Sequence, residues 1–223
     1  MDKKNIFIVG LEPFNKEKLE RLPQARECTF HAALEDREIR NVDFLDMPKL
    51  VDKAVKTLES FEGSVDAVAT YWDFPASLLS AFLAQHFGLP GPSLESMFKC
   101  EHKYWSRLEQ QKAVPEYLPL FRPFDPHDED AYGKLQLMPP FWIKPIKSYR
   151  GFLAYQINDE RQFNAVMQTC RERQELLVRP FCDLLKQFEM PEEIVGMPET
   201  FVAESCIGGA QCTLEGYVHQ GKV

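Results

Sequence analysis

About the first ninety residues alternate between strand and helix patterns, and this alternation is the feature that most restricts the possible folds. Apolar strand-like runs at residues 5–10, 28–33 and 65–71 are separated by helix-like segments at residues 15–22 and 50–61. Strands that alternate with helices are typical of a parallel sheet with helices packed on its faces. The sequence therefore predicts a Rossmann-like α/β unit at the N-terminus.

A connector at residues 89–93, Leu-Pro-Gly-Pro-Ser, divides the chain. Two prolines around a glycine can continue neither a helix nor a central strand. We therefore expect one domain at residues 1–92 and a second at residues 93–223. Just before the connector, Asp73 lies where a strand ends and a helix begins, at the sheet edge where α/β folds bind ligands. Asp73 either caps that helix or contacts a ligand.

After the connector, helix and strand patterns follow in a mixed order. Serine caps predict a helix that carries Lys103 and Arg107 on one face, where the two cations either extend into solvent or share an anion. A second helix is predicted at residues 159–173, and strands are predicted at residues 114–119, 175–181 and 200–207. Gly208 and Gly209 then turn the chain into a strand at residues 211–218. Its polar face, which meets either solvent or a ligand, carries Gln211, Thr213 and Glu215.

Lys144 lies near the end of the apolar run of residues 141–146, and a small polar loop follows that run at residues 147–151. A lysine that leaves a buried strand must reach solvent or meet an anion, because an unpaired ammonium in an apolar setting is costly. The serine and the main-chain N–H groups of a loop that ends at glycine can surround phosphate oxygens. Lys144 is thus either a solvent-facing strand end or part of a phosphate site.

Composition narrows the class of partner. A net charge of −8 with both signs mixed argues against nucleic acid or an anionic membrane surface, so we expect a small molecule. The apolar stretch at residues 6–9 is too short for a signal or membrane segment, so we expect a cytoplasmic protein.

No C-x-x-C pair occurs, which favours reduced core cysteines over zinc ligands or disulfides. The oligomeric state is not encoded in any pattern here. The cysteines are Cys28, Cys100, Cys170, Cys182, Cys206 and Cys212.

Taken in their order along the chain, the segments from the connector to residue 216 resemble those of the ATP-grasp superfamily. A Pro/Gly connector leads to a helix with Lys103, and 41 residues later Lys144 ends a strand. A Ser/Gly loop and a strand with Glu204 follow. The resemblance covers nearly the whole chain and is strongest at residues 93–216. It implies a pre-ATP-grasp α/β domain followed by a partial α+β ATP-grasp domain.

The resemblance implies two groups of nucleotide-binding residues. On the phosphate side, Lys103 would approach the α-phosphate, and Lys144 would bridge adenine and the phosphates. The loop with Lys147 and Ser148 would form a flexible lid over the triphosphate.

On the adenine side, Glu204 would accept a hydrogen bond from the exocyclic amine. Main-chain groups of Cys206 and Ile207 would complete the recognition of the base. Gln211 occupies the position at which many relatives have a ribose-binding glutamate, and glutamine keeps an acceptor there while adding a donor. Glu215 follows on the same face without an assigned role.

Members of this superfamily mostly join a carboxylate to an amine: ATP phosphorylates the carboxylate, and the amine attacks the acyl phosphate. The resemblance therefore implies ATP and Mg²⁺ as cofactors, and a carboxylate, with an amino acid as the commonest case, as substrate. Family members carry acidic magnesium ligands and a catalytic arginine beyond the adenine segment, and the residues up to Val223 contain no clear counterpart. We therefore expect an incomplete chain that does not turn over by itself, and we assign no catalytic or metal-binding residue.

Other interpretations stay open. A non-catalytic ATP-binding or interaction module of the same fold would also lack metal ligands, although retention of Lys103, Lys144 and Glu204 together argues against it. A flavodoxin-like domain with a helical extension accounts for residues 1–90 but leaves the later segments unexplained. Carboxylation and ligation of a purine precursor remain alternatives to amino-acid ligation.

Overall fold

The computed structural model describes residues 3–40, 45–148, 151–186, 194, 200–214, 216–218 and 221–222. Within these ranges the chain forms a three-stranded parallel sheet and a four-stranded antiparallel sheet, each with its own helices. The prediction of a parallel α/β unit followed by an α+β unit is confirmed. None of the helices in the described ranges has the length and apolar character needed to cross a membrane.

The parallel sheet has the strand order β2-β1-β3. Its strands are β1 (Lys4–Leu11), β2 (Cys28–Glu35) and β3 (Ala67–Ala69). The helices around it are α1 (Pro13–Glu20), α2 (Asp36–Arg40), α3 (Met47–Glu59) and α4 (Ala76–His86), and a 3-10 turn covers Pro23–Glu27. The start of helix α3 is fixed by two residues that favour a helix N-terminus. The Asp46 carboxylate accepts the Lys49 N–H at 3.1 Å, and Pro48 occupies the first turn.

The antiparallel sheet has the strand order β4-β7-β5-β6. Its strands are β4 (Phe121–Phe124), β5 (Phe141–Pro145), β6 (Tyr155–Ile157) and β7 (Phe201–Ser205). The helices of this half are α5 (Leu94–Glu101), α6 (Lys103–Ala113), α7 (Ala131–Leu135), α8 (Glu160–Arg173) and α9 (Val178–Leu185). Single 3-10 turns cover Pro115–Tyr117 and Gln174–Leu176.

The single helix predicted after the connector is two helices, with the break at His102. The His102 main chain is extended, and its Nδ1 accepts the Trp105 N–H at 3.1 Å, which caps α6. Burial lowers the pKa of His102 to about 4, so the ring is neutral at pH 7. The Lys103 N–H also donates to the Ile146 carbonyl at 2.8 Å, which fixes the start of α6 beside the end of β5.

Three hydrophobic cores occur among the described residues. The first lies around the parallel sheet, and the second lies between the antiparallel sheet and α7 and α8. A small third core joins β1 and β2 to the 3-10 turn at Pro23–Glu27. The first core does not stop at the predicted boundary after residue 92, because α5, α6 and α9 contribute Phe98, Trp105 and Phe181 to it. The connector at residues 89–93 is irregular, as predicted.

Three sequence predictions of secondary structure are wrong. Residues 175–181 do not form a strand, since α9 begins at Val178 and Pro180 lies within its first turn, where proline is tolerated. Residues 114–119 contain a 3-10 turn, and the strand begins only at Phe121. Residues 211–214 and 216–218 have no regular structure, because no described strand pairs with them; Glu215 lies outside the described residues.

Candidate functional site

Strand β5 separates its side chains between two faces of the antiparallel sheet. Phe141 and Ile143 are fully buried in the core against α7 and α8. Trp142 and Lys144 point to the opposite face of the sheet and remain partly exposed. The end of this strand therefore presents an aromatic ring and an ammonium on one accessible surface.

Glu204 on β7 lies beside Lys144 and is held by two cations. Its Oε2 is 2.5 Å from Lys144 Nζ, and its Oε1 accepts from Arg107 Nε on α6 at 2.6 Å. Burial raises the pKa of this carboxyl, but the hydrogen bonds from Arg107 and Lys144 outweigh burial, so the net shift is downward. Glu204 is therefore ionised and fixes Lys144. The predicted bond to an adenine amine would be an additional contact for a carboxylate whose two oxygens already accept.

Lys103 is the first residue of α6 and converges on the same region. Its Nζ donates to the Ser148 carbonyl at 2.8 Å. Burial, followed by the charges of Lys147 and Lys144, lowers the pKa of Lys103 to about 7. The structure thus brings together the two lysines to which the resemblance assigns phosphate contacts. Asp73 and Glu101 raise the pKa of Lys103 by less than Lys147 and Lys144 lower it, so its poorly solvated ammonium is not balanced by negative charge.

Lys147 has surroundings that the sequence did not indicate. We expected it in a lid over a triphosphate, but its side chain is only 3% exposed and forms an ion pair with Glu101 at the end of α5. Asp73, after β3, lies 3.5 Å away, and Ser77 Oγ donates to Glu101 at 2.5 Å. A phosphate contact by Lys147 would require these pairs to break. Of the other lid residues, Ser148 binds Lys103 through its carbonyl, and Tyr149 and Arg150 lie outside the described residues.

Asp73 is neither a helix cap nor free. Helix α4 begins three residues later with Pro75 as its N-cap, and Asp73 Oδ1 accepts the Phe74 N–H at 2.7 Å. Burial raises the pKa of Asp73, but the Lys147 charge and the hydrogen bond from the Phe74 N–H act together with smaller effects to lower it by more, so the carboxylate is ionised. Of the two roles that the sequence allows for Asp73, capping of α4 is therefore not observed.

The predicted adenine segment follows β7. Cys206 and Ile207 leave the sheet exposed, and Cys206 Sγ lies 3.6 Å from the Gln156 amide nitrogen on β6. Gln211 is exposed in the irregular segment that follows, so the polar strand face predicted around it does not form in the described residues. Glu204 thus lies on β7 and Cys206 and Ile207 follow it directly, whereas Gln211 belongs to no strand among the described residues.

Metal-binding residues are not grouped in the described part of the chain. No three His, Cys, Asp or Glu side chains there are close enough to hold an ion. The carboxylates near the lysines are already paired with cations, so the described residues do not fit a magnesium site by themselves.

Arg107 and Glu101 were missed as site residues. Arg107 lies one turn after Lys103 on the same helix, and this spacing is the sequence signal that could have indicated it. Its ion-pair partner, Glu204, is 97 residues away in the sequence. Glu101 precedes Lys103 by two residues in a segment without any chemical motif. Only the packing of α5 and α6 against the antiparallel sheet brings these side chains to the site.

Comparison with known proteins identifies solved structures that share the fold of this chain. No family model and no curated protein matches the chain. An L-amino acid ligase from Bacillus licheniformis superposes with a TM-score of 0.60 at 19% identity, over 94% of this chain and 45% of that one. D-alanine–D-alanine ligase from Bacillus anthracis gives 0.57 at 12% identity, over 94% and 58%. A RimK domain protein with an ATP-grasp fold from Sphaerobacter thermophilus gives 0.54 at 12% identity, over 92% and 65%.

The chain therefore spans about half to two-thirds of the length of these proteins. At such identities the likeness shows a shared fold. The resemblance to the ATP-grasp superfamily that the order of motifs indicates is confirmed at that level.

Proposed function

We propose that this chain, which has the fold of the ATP-grasp ligases, binds ATP between α6 and the antiparallel sheet as part of a ligase. In the proposed reaction a carboxylate attacks the γ-phosphorus, and ADP leaves. An amine then attacks the acyl phosphate, which forms the amide and releases phosphate. The L-amino acid ligase and the D-alanine–D-alanine ligase among the similar structures support an amino acid as the carboxylate substrate.

The observation that carries the proposal is the unbalanced ammonium of Lys103. Its hydrogen-bond partner in the structure is a neutral carbonyl, and two further lysines depress its pKa. An anion placed beside Lys103 would relieve this repulsion, and a triphosphate supplies several negative oxygens at once. One similar ligase structure was determined with ATP bound.

We assign each of these residues a separate role in nucleotide binding. Lys103 and Lys144 would neutralise negative charge on the phosphates, which favours transfer because charge shifts toward the leaving oxygen. Glu204 holds Lys144 in place, and Arg107 offsets the charge of Glu204. Main-chain groups of Cys206 and Ile207, with Gln211, would contact the base and ribose. Ser148 anchors Lys103 from the loop.

Phosphoryl transfer of this kind uses Mg²⁺ between the β- and γ-phosphates. Because the described residues offer no metal cluster, we assign no magnesium ligand and no step to the metal. The six cysteines are all free thiols, which supports a reducing, cytoplasmic location.

Equilibrium dialysis with labelled ATP tests the proposal. We expect wild type to bind ATP and Lys144→Met to lose at least about tenfold in affinity, since a charge-assisted contact to phosphate is worth more than 1 kcal/mol. Lys112→Met is the matched control, because Lys112 lies on α6 but is exposed and pairs with Glu109. Equal affinity in wild type and Lys144→Met, or no ATP binding by wild type, would contradict the proposal.

A further inference from the structure

We propose that Lys103 is a site of reversible carbamylation, at which its side-chain amine combines with carbon dioxide. The inference goes beyond the proposed function, because the adduct forms on the free protein and does not require that the chain bind ATP. It rests on how the structure partners the three lysines around the loop that follows β5.

The three lysines differ in what their side chains contact. Lys147 and Lys144 each form an ion pair with a carboxylate, so both are held as charged ammonium groups. Lys103 donates instead to the main-chain carbonyl of Ser148, at 2.8 Å, and this partner carries no charge. Within the described residues, Lys103 forms no ion pair with a carboxylate. Lys103 is therefore the lysine of this group that most readily gives up its proton.

A lysine reacts with electrophiles only as the neutral amine. Burial, followed by the charges of Lys147 and Lys144, lowers the pKa of Lys103 to about 7, and the carboxylates of Asp73 and Glu101 oppose these charges by less. At pH 8 most molecules therefore carry a neutral amine at this position, whereas an exposed lysine, with a pKa of about 10.4, remains almost fully protonated. The nitrogen is the donor in its hydrogen bond, so its lone pair is free to react.

The surroundings of the amine restrict the electrophile. The side chain of Lys103 is partly buried, which favours a small molecule without charge. The positive potential that disfavours the ammonium form also favours a product with negative charge. An aldehyde would give an imine, which is a cation when protonated and so gains nothing from that potential. Carbon dioxide is small and uncharged, and its adduct with an amine is an anion.

The proposed step is balanced without any further reactant. The lone pair of Lys103 Nζ attacks the carbon of carbon dioxide, and one C=O π pair moves onto oxygen. The nitrogen then releases one proton to solvent, which leaves a carbamate anion with a new N–C bond. No atom is oxidised or reduced. The N–H that remains can keep the hydrogen bond to the Ser148 carbonyl.

Carbamylation has a consequence for the nucleotide, and this consequence does rest on the proposed function. It replaces a side chain that we place on the phosphates as a cation by one that carries a negative charge. A carbamate there would repel the triphosphate. We therefore expect carbon dioxide to compete with ATP.

Carbon-13 NMR of the protein with labelled bicarbonate, which supplies labelled carbon dioxide, tests the inference at pH 8. Wild type should show a carbamate carbon resolved from those of bicarbonate and carbon dioxide. Lys103→Arg should lose this signal, because a guanidinium stays protonated. Lys112→Arg is the matched control and should keep it, since Lys112 is also on α6 but is exposed and pairs with Glu109. A signal from the terminal amine would persist in all three proteins.

A second measurement locates the adduct in wild type and so does not depend on the folding of a variant. A trialkyloxonium reagent alkylates a carbamate oxygen and gives a stable ester, with a dialkyl ether as the leaving group. Peptide mass spectrometry should then find the ester on Lys103. Absence of a carbamate signal and of the ester in wild type would overturn the inference, as would an equal signal in wild type and Lys103→Arg.

ATP titrations at constant pH and ionic strength separate this inference from the proposed function. Addition of carbon dioxide should lower the ATP affinity of wild type and leave that of Lys103→Arg unchanged. Wild type that carries the adduct and still binds ATP with unchanged affinity would contradict the phosphate role of Lys103, and not the adduct. Wild type that binds no ATP but carries the adduct would likewise overturn only the proposed function.

Discussion

The lowered pKa of Lys103 makes nucleotide binding sensitive to pH. In the free protein its ammonium titrates at about 7, because it is buried and faces Lys147 and Lys144. A bound triphosphate favours the charged form and returns the pKa toward its ordinary value. At pH 8 the free side chain is mostly neutral and the bound one mostly charged. Binding at that pH should therefore take up about one proton.

Calorimetry in buffers of different ionisation enthalpy measures this uptake. Lys103→Arg remains charged throughout, so its binding should take up almost no proton at pH 8. In wild type the ATP affinity should fall as pH rises through 7, whereas in Lys103→Arg it should stay flat. Equal proton uptake by the two proteins would show that another group titrates.

Sequence motifs selected both lysines and Glu204 as candidate site residues, and the structure brings the three side chains to one region; their contacts with a nucleotide stay a prediction. They did not show that Glu204 pairs with Lys144 and Arg107. That pairing depends on the register of β5 against β7 and on the position of α6, which are long-range properties. Motifs thus indicated which residues are candidates for the site, while the contacts among these residues required the structure.

At the scale of the elements, the loop after β5 is attached through Lys147 to α5 and to the residue Asp73 after β3. The ammonium is buried against Glu101 and Asp73, and the Lys103 ammonium holds the next carbonyl. A buried charge that loses its partner is strongly unfavourable, so weakening this attachment should open the loop. We therefore expect the ion pairs of Lys147 to hold residues 147 and 148 in their observed position.

Substitution of Glu101 by Gln tests that attachment. It keeps the side-chain shape and removes the charge opposite Lys147, so we expect trypsin to cut after Lys147 about tenfold faster, which corresponds to opening that is easier by about 1.4 kcal/mol. Glu95→Gln serves as the control, because Glu95 is on α5 as well but forms an exposed pair with Lys99. If both variants are cut at the same rate, the pair with Glu101 does not hold the loop.

The sequence predicts well those elements whose apolar residues repeat at helical spacing. It predicts poorly those elements that form only through pairing with residues distant in the chain. Residues 50–61 and 159–173 show helical spacing and form α3 and α8 with small shifts at their ends. Residues 175–181 looked like a strand, because the apolar spacing of α9 becomes helical only when Leu184 and Leu185 are included. Residues 211–218 alternate as a strand should, but alternation forms a strand only where another strand pairs with it.

At the scale of the whole molecule, charge is distributed unevenly. The chain carries a net charge of −8, yet the candidate site joins four cationic side chains to three carboxylates. At physiological salt the fields of distant surface charges are screened within about 8 Å. The local excess of positive charge therefore dominates the interaction with an anion, while the acidic surface disfavours nonspecific polyanions. Those cations are Lys103, Arg107, Lys144 and Lys147.

The two halves of the molecule share a core through α9. This helix follows α8 in the sequence, yet it packs Phe181 against Phe74 and Phe98, with ring centroids 5.6 Å apart in both cases. Phe181 is fully buried. The stability of the parallel sheet therefore depends on a segment that lies about a hundred residues beyond it in the chain.

Phe181→Ala should loosen the parallel sheet even though the substitution lies in the second half of the sequence. Loss of a buried phenylalanine costs about 3–5 kcal/mol, because a cavity remains where the ring was. Hydrogen exchange of the β1 amides should accelerate accordingly, since these amides open with the core that Phe181 completes. Phe163→Ala is the control: Phe163 is equally buried, but it lies in the core beneath the antiparallel sheet, so it should accelerate exchange in β7 more than in β1. Wild-type protection of β1 in Phe181→Ala would mean that residues 1–92 fold without α9.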